Sequence, residues 1–320
     1  MHKYIVKRFL MLIPVLLGAT ILVFFIMDLS PVDPAVVILG GDATPEAIEE
    51  LHHELGLDRP FFVRYFSFLG NLLRGDLGTS YRNNLDVMQQ ILNKLPNTIL
   101  LALSGMVIAV VVGVPVGIIS AKKQYSIFDN LAMVFALVLA SSPHFWFGLL
   151  LVIIFSLNLG LLPSSGMGSG VSGILLSLIL PAITVSGNTT ALVARTTRSA
   201  MLEVIHQDYI DTARAKGLKE RVITLRHQLR NALIPIVTVT GLQFGVLLGG
   251  SVTTEMVFSW PGVGRFVVEA VKGKDIPCVL GAVTILAVMF TLVNLGVDIL
   301  YAYVDPRIKA QYKSAGKGRR

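Results

Sequence analysis

The chain has 320 residues, of which 53% are hydrophobic and only 15% charged, with a mean hydropathy of +0.71. Soluble domains carry about 25% charged residues, so this composition excludes an ordinary soluble globular protein. The net charge of +7 would suit a nucleic-acid binder, but its placement excludes that reading.

Six stretches reach the roughly 20 apolar residues that cross about 30 Å of hydrocarbon. They are Phe9–Met27, Ile99–Ala121, Leu131–Leu157, Ile174–Ala194, Leu233–Val252 and Val279–Tyr301. Nineteen of the 27 Lys and Arg lie before span 1, between spans 2 and 3, between spans 4 and 5, and after span 6. The alternate segments share eight. This is the positive-inside pattern for six crossings, with both termini cytoplasmic. The basic excess is a topology signal, not a nucleic-acid footprint.

Span 1 follows Lys3, Lys7 and Arg8. Its apolar core is too long for a signal peptide, and "DLSPVDPA" offers no small-residue cleavage site, so it reads as a retained anchor. Residues 29–96 form an external segment with ten acidic residues, counting Asp28, against five basic. In it, "ATPEAIEELHHELGLD" predicts a helix capped by Thr44, entered through Pro45 and stopped at Gly56. "RPFFVRYFSFLGNLLRGDLG" predicts a second helix ended by glycines, and "LDVMQQILNKLPN" a third, short one leading into span 2. Such Phe- and Leu-rich helices lie on the membrane or cap the bundle, and they offer a docking surface for an external partner.

Gly113 and Gly117 in span 2, and Gly241, Gly245 and Gly249 in span 5, have the four-residue spacing that lets membrane helices approach closely. "SSPHFWFG" (141–148) predicts a kink in span 3, because proline frees a backbone carbonyl. Residues 168–173, "GSGVSG", formally match a dinucleotide-binding fingerprint. Neither the preceding strand nor the acid about 20 residues on is there, so it is a decoy. No phosphate-binding G-x-x-x-x-G-K-[ST] occurs, and no nucleophile stands near a base in a recognisable context. The adjacent His52 and His53 point in different directions on a helix. The single cysteine, Cys278, allows no internal disulfide, and no Cys/His cluster has metal-ligand spacing.

Ionisable side chains within or beside spans are costly and therefore candidates for function. Asp298 lies in span 6. Glu255 lies just past span 5 in "TTEMVFSWPGVGR", with Trp260 close by. The plainer expectation is that Asp298 pairs with a basic residue at the cytoplasmic end, and Glu255 with Arg265 or backbone amides.

Between spans 4 and 5 stands "DYIDTARAKGLKERVITLRHQLRNALIP", a charged helix–turn–helix in an oily chain. Ile205, Tyr209, Ile210 and Ala213 predict an amphipathic helix over Met201–Lys216. Gly217 supplies a left-handed turn, and the second helix runs into span 5. A compact hairpin with small residues Thr212, Ala213 and Ala215 suits insertion into a groove of another protein.

This stretch resembles the coupling loop of ABC importer permeases, Glu-Ala-Ala-x-x-x-Gly followed by a hydrophobic-Pro element. Asp211, Thr212 and Ala213 stand at its first three positions and Gly217 at its glycine; Asp replaces Glu and Thr replaces Ala. "KYIVKRFLMLIPVLLGATILVFFIM", "LGLDRPFFVRYFSFLGNLLRGDLGTSY", "GGSVTTEMVFSWPGVGRFVVEAVKGKDIPCVLG" and "VDILYAYVDPRI" are similar to the permeases for dipeptides, oligopeptides and nickel. The resemblance covers nearly the whole chain.

The resemblance implies an all-α polytopic membrane protein that is half of a translocation path. It implies a second homologous permease, two ATPase subunits that bind ATP and Mg, and an extracytoplasmic binding protein delivering peptide. No cofactor is expected in this chain, no catalytic or metal site, and no nucleic acid; membrane lipids surround it. Tyr209, Asp211, Thr212, Ala213, Arg214, Lys216 and Gly217 are the expected ATPase-coupling residues. Glu255, Trp260 and Asp298 are the expected gate or path residues. The expected organisation is an N-terminal anchor over 1–28, an external segment over 29–96, a permease core over 97–304 with its coupling loop at about 199–232, and a basic tail over 305–320. Nickel or a nickel chelate is the alternative cargo. A stand-alone secondary transporter would call for an inverted repeat and midplane charges.

Overall fold

In hydrocarbon, a spanning backbone satisfies its own N–H and C=O groups by winding into helices. The computed structural model describes residues 2–40 and 42–304, with side chains described for 10–40, 42–249 and 251–297. In chain order the helices are α1 (His2–Asp28), α2 (Pro34–Leu39), α3 (Pro45–Leu55), α4 (Phe61–Leu73), α5 (Val87–Lys122), α6 (Ile127–Ser141) and α7 (His144–Leu151). A π-helical segment, Val152–Asn158, extends α7. Then come α8 (Gly170–Ile205), α9 (Asp208–Ala215), α10 (Glu220–Val222), a second π-helical segment (Ile223–Gln228), α11 (Leu229–Gly250), α12 (Val252–Val257), α13 (Val263–Lys272) and α14 (Ile276–Val304). Among the described residues the only β-type pairing is an isolated bridge, Thr79 with Asp86.

Five helices are long and apolar enough to cross a membrane: Leu10–Asp28, Val87–Lys122, Gly170–Ile205, Glu220–Gly249 and Ile276–Val297. This is a multi-pass membrane protein. The expected third span is not a kinked helix but two pieces, Ile127–Ser141 and His144–Asn158, meeting at 111°. Pro143 has no N–H and drives the preceding residue out of the helical region; Ser142 accordingly sits at φ −82°, ψ 134°. The two pieces together carry the chain along α8. Asp129, at the start of α6, is bound to Arg198 near the C-terminal end of α8. After the π segment the chain arrives at Gly168, whose N–H donates to Ser177 near the N-terminal end of α8. At 1.5 Å per residue those two points on α8 are about 32 Å apart, a full hydrocarbon thickness.

Two further expectations change. The short helix predicted at 85–97 is the first part of α5, which runs unbroken through Pro96 to Lys122. The amphipathic helix predicted over Met201–Lys216 is shorter: 201–205 close α8, and the separate helix begins at Asp208.

The chain packs as two units. One comprises His2–Thr98 and Pro261–Thr291, and in its core α4 meets α1, the start of α5, α13 and the first half of α14. Phe24, Tyr65, Leu77, Val87, Ile91, Val263 and Leu280 lie at its centre. Buried Asp275 accepts from Ser80 Oγ at 2.5 Å and from the Tyr81 amide at 3.2 Å, tying the 80-loop to the start of α14. Thr44 caps α3 through the Ala47 amide, and Gly56 closes it at φ 64°, as its sequence predicts. His52 pairs with Asp33 and His53 with Asp58, so the two imidazoles do point apart.

The other unit comprises Ile99–Trp260 and the described residues from Leu292 to Val304. α8 lies at its centre, packed by α11, α6, α7 and α5. A Cβ on Gly105 would stand 2.6 Å from Val185, and one on Gly117 2.5 Å from the Ala194 carbonyl. The span 2 glycines thus permit close helix approach as expected. Gly249 of the span 5 stripe meets nothing within 4 Å.

Candidate functional site

The hairpin 206–231 is built from local signals. α8 is 36 residues long, about 54 Å, and so outruns the hydrocarbon by several turns. It ends at His206, and Gln207 turns extended at ψ 139° to start α9. Asp208 and Asp211 occupy the first turn of α9 and Arg214 its last, the arrangement that the helix dipole favours.

The turn after α9 is a Schellman closure. The Gly217 amide donates to the Arg214 carbonyl at 3.0 Å and the Leu218 amide to the Ala213 carbonyl at 3.4 Å. Gly217 sits at φ 75°, where an L side chain is strained. Ile210 and Ala213 are buried and pack with Ile223 and Val204, fixing α9 to the hairpin's second limb. That limb, Glu220–Gly249, continues through the π segment into the fifth crossing.

The opposite face of α9 is open. Asp211, Thr212, Arg214, Lys216 and Gly217 are all exposed. Arg214 bridges Asp211 Oδ1 at 2.9 Å and Glu220 Oε1 at 2.8 Å, and the Glu220 carboxylate raises its pKa above the ordinary value. Tyr209 departs from the expected buried stripe. It is 44% exposed, and its hydroxyl accepts from Asn231 Nδ2 at 3.0 Å. Six of the seven expected coupling residues are therefore exposed, and Ala213 is buried with Ile210 and Ile223.

Sequence reasoning missed the braces of the hairpin. Lys122 Nζ donates to Thr224 Oγ1 at 3.1 Å, joining the end of α5 to the π segment. Asn231 holds Tyr209, and Arg198 holds Asp129. Only the last had a sequence signal. Ser126-x-x-Asp129 is an N-terminal capping pattern, and Ser126 Oγ does accept from the Asp129 amide. It marked the helix start but not the arginine 69 residues on.

The other expected site residues stand apart from the hairpin. Glu255 is fully buried and accepts from Ser251 Oγ at 3.0 Å. Arg265 donates to Glu269 at 2.7 Å. Trp260 is fully buried and packs in the cluster of Leu101, Leu178, Val185 and Leu247. The side chain of Asp298 lies outside the described residues.

Known proteins share this architecture. Residues 113–310 match the family model of the binding-protein-dependent transport system inner membrane component, and residues 1–102 match that family's N-terminal membrane component. The dipeptide transport system permease protein of Alkalihalophilus pseudofirmus is 45% identical over 97% of this chain and 100% of its own length. The oligopeptide transport system permease protein of Bacillus subtilis is 41% identical over 97% and 100%. The glutathione transport system permease protein of Pectobacterium atrosepticum is 43% identical over 97% and 99%. Among solved structures, an inward-facing methionine ABC transporter chain superposes with a TM-score of 0.56 at 17% identity, over 68% of this chain and 97% of that one. That likeness is one of fold. A charged hairpin set between membrane crossings, on a chain matched along its length, leads to one assignment: the protein belongs to the family of binding-protein-dependent transport system inner membrane components.

Proposed function

We propose that this chain is one of two permease subunits of an ATP-driven importer of di- or oligopeptides. The carrying observation is the hairpin. A helix of eight residues is closed by Gly217 and pinned from behind by Ile210 and Ala213, and it presents an exposed polar face. Only two residues, His206 and Gln207, join it to α8 and four, 216–219, to the limb Glu220–Gly249, so a push on α9 passes through short packed turns into two long membrane helices.

In this reading, α9 seats in a groove of a partner ATPase, which binds ATP and Mg2+. Tyr209, Asp211, Thr212, Arg214 and Lys216 meet that groove, and Gly217 keeps the corner. Both termini face the cytoplasm, in keeping with the distribution of Lys and Arg. The external segment receives an extracytoplasmic binding protein, and Glu255, Trp260 and Asp298 belong to the external gate or the path. Peptide as cargo rests on the relatives, which are permeases for dipeptides, oligopeptides and glutathione.

Affinity purification from the native membrane in mild detergent tests the reading. A second permease and ATPase subunits are expected with this chain, and their loss is expected when α9 is replaced by a Gly/Ser linker. A chain that purifies alone and still takes up peptide after reconstitution would refute it.

A further inference from the structure

The helix α4 stands apart from the other short helices of the external segment. Its sequence, FFVRYFSFLGNLL, is apolar and carries one charged residue, Arg64. Its position on α1 is deep. Tyr65 is 4% exposed; its hydroxyl lies 3.1 Å from Thr20 Oγ1 and donates to the Leu17 carbonyl at 3.2 Å. Thr20 stands near the middle of the apolar stretch Leu10–Asp28. That stretch is about 28 Å long, close to the whole hydrocarbon thickness. Tyr65 therefore reaches α1 near the level of the bilayer centre. A helix lying on the water side of the membrane would meet α1 only near Asp28.

The outward face of α4 matches that depth. Phe62 and Phe66 are each 64% exposed and Val63 is 51% exposed. They continue the lipid-facing side of α1, where Leu22, Phe25 and Ile26 are exposed. The Phe25 and Phe61 rings are 6.2 Å apart, which joins the two faces. The one charge leaves this face. Arg64 lies over the Phe24 ring and reaches Asp28 Oδ1 at 2.7 Å, at the end of α1, as a snorkelling arginine does. At the C-terminal end of α4 the Arg74 and Gly75 amides donate to the Asn71 and Leu72 carbonyls, which closes that end of the backbone.

We infer that α4 is set into the bilayer leaflet at the C-terminal end of α1, with Phe62, Val63 and Phe66 against phospholipid acyl chains. It anchors the external segment from below. The acidic helix α3, with Glu46, Glu49, Glu50 and Glu54 exposed, stays in water and available to protein. The inference rests on α1 being a span and not on the import reading.

Site-directed spin labelling tests it. Cysteine is placed at Phe62, Phe66 and, as a water-exposed reference, Glu49. Each variant, in its full complex, is labelled in phosphatidylcholine/phosphatidylglycerol nanodiscs. The parent protein, whose Cys278 is buried, gives the background. Collision rates with oxygen and with a neutral nickel chelate are then compared. The expected oxygen-to-nickel ratio at 62 and 66 is several-fold above that at 49. A ratio equal to that at 49 would place α4 in water. Exclusion of both reagents would mean that protein covers the face. Either result overturns the proposal.

Discussion

Arg198 on α8 grips Asp129 on α6 with both arms: Nε lies 2.6 Å from Oδ1 and Nη2 2.7 Å from Oδ2. Asp129 is 1% exposed and also accepts from the Tyr125 amide at 3.0 Å, in a turn where Tyr125 takes φ 62°. One carboxylate thus closes the turn after α5, starts α6 and ties both to the end of α8. Removing one member strands a charge, which in buried pairs costs about 3 to 5 kcal/mol. Asp129→Ala should lower the thermal unfolding midpoint in detergent markedly. Asp129→Ala combined with Arg198→Ala should lose less than the two single losses together. Additive losses would show that the two residues act separately.

Gly117 on α5 packs directly on α8, and a Cβ there would also lie 2.6 Å from Thr197 Cβ. Gly117→Val should force the helices apart, an overpacking cost of about 1 to 3 kcal/mol. Gly249→Ala, where nothing lies within 4 Å, should leave this subunit's own stability nearly unchanged. Fluorescence-detected size exclusion over a temperature series separates the two.

Asp275 is 3% exposed and gathers Ser80 Oγ, the Tyr81 amide and the Cys278 amide. Asp275→Ala leaves buried donors unanswered, at about 1 to 3 kcal/mol each for groups that stay dry. Faster limited proteolysis in the 78–86 loop is expected, with the hairpin at 206–231 unaffected. Equal loosening of both would contradict a local role.

Arg214 makes two ion pairs, but its side chain is 49% exposed and its partners are 71% and 53% exposed. Such solvent-screened pairs contribute little to stability. Arg214→Ala should therefore barely change thermal stability. If α9 seats in a partner ATPase, the same variant should still reduce peptide uptake several-fold at equal expression. Unchanged uptake would leave Arg214 a surface residue only.

The long helices were legible because apolar length alone dictates them. The turn at Gly217 was legible because one residue type tolerates its backbone. What escaped was non-local. The depth of the break at Ser142–Pro143 depends on how two helix pieces pack on α8, and a proline announces only that something bends. The boundary between α8 and α9 escaped because Met201 and Ile205 continue the apolar pattern, although Met201 is buried in the α8 core rather than in the hairpin. Tyr209 looked like part of the buried stripe; its hydroxyl finds Asn231, 22 residues away, and the ring stays half-exposed. The braces Lys122–Thr224 and Arg198–Asp129 join residues 102 and 69 positions apart, beyond the reach of any local pattern.

The central claim is that the hairpin carries ATPase motion into the membrane, and the ratio of peptide transported to ATP hydrolysed tests it most directly. The full complex would be reconstituted in vesicles with Gly217 or with Gly217→Val. Valine at φ 75° distorts the corner, at about 1 kcal/mol or more, at a position where a Cβ meets nothing within 4 Å. The account predicts that hydrolysis continues while uptake is lost, so that the ratio falls. Normal uptake per ATP with the variant at normal abundance would contradict it.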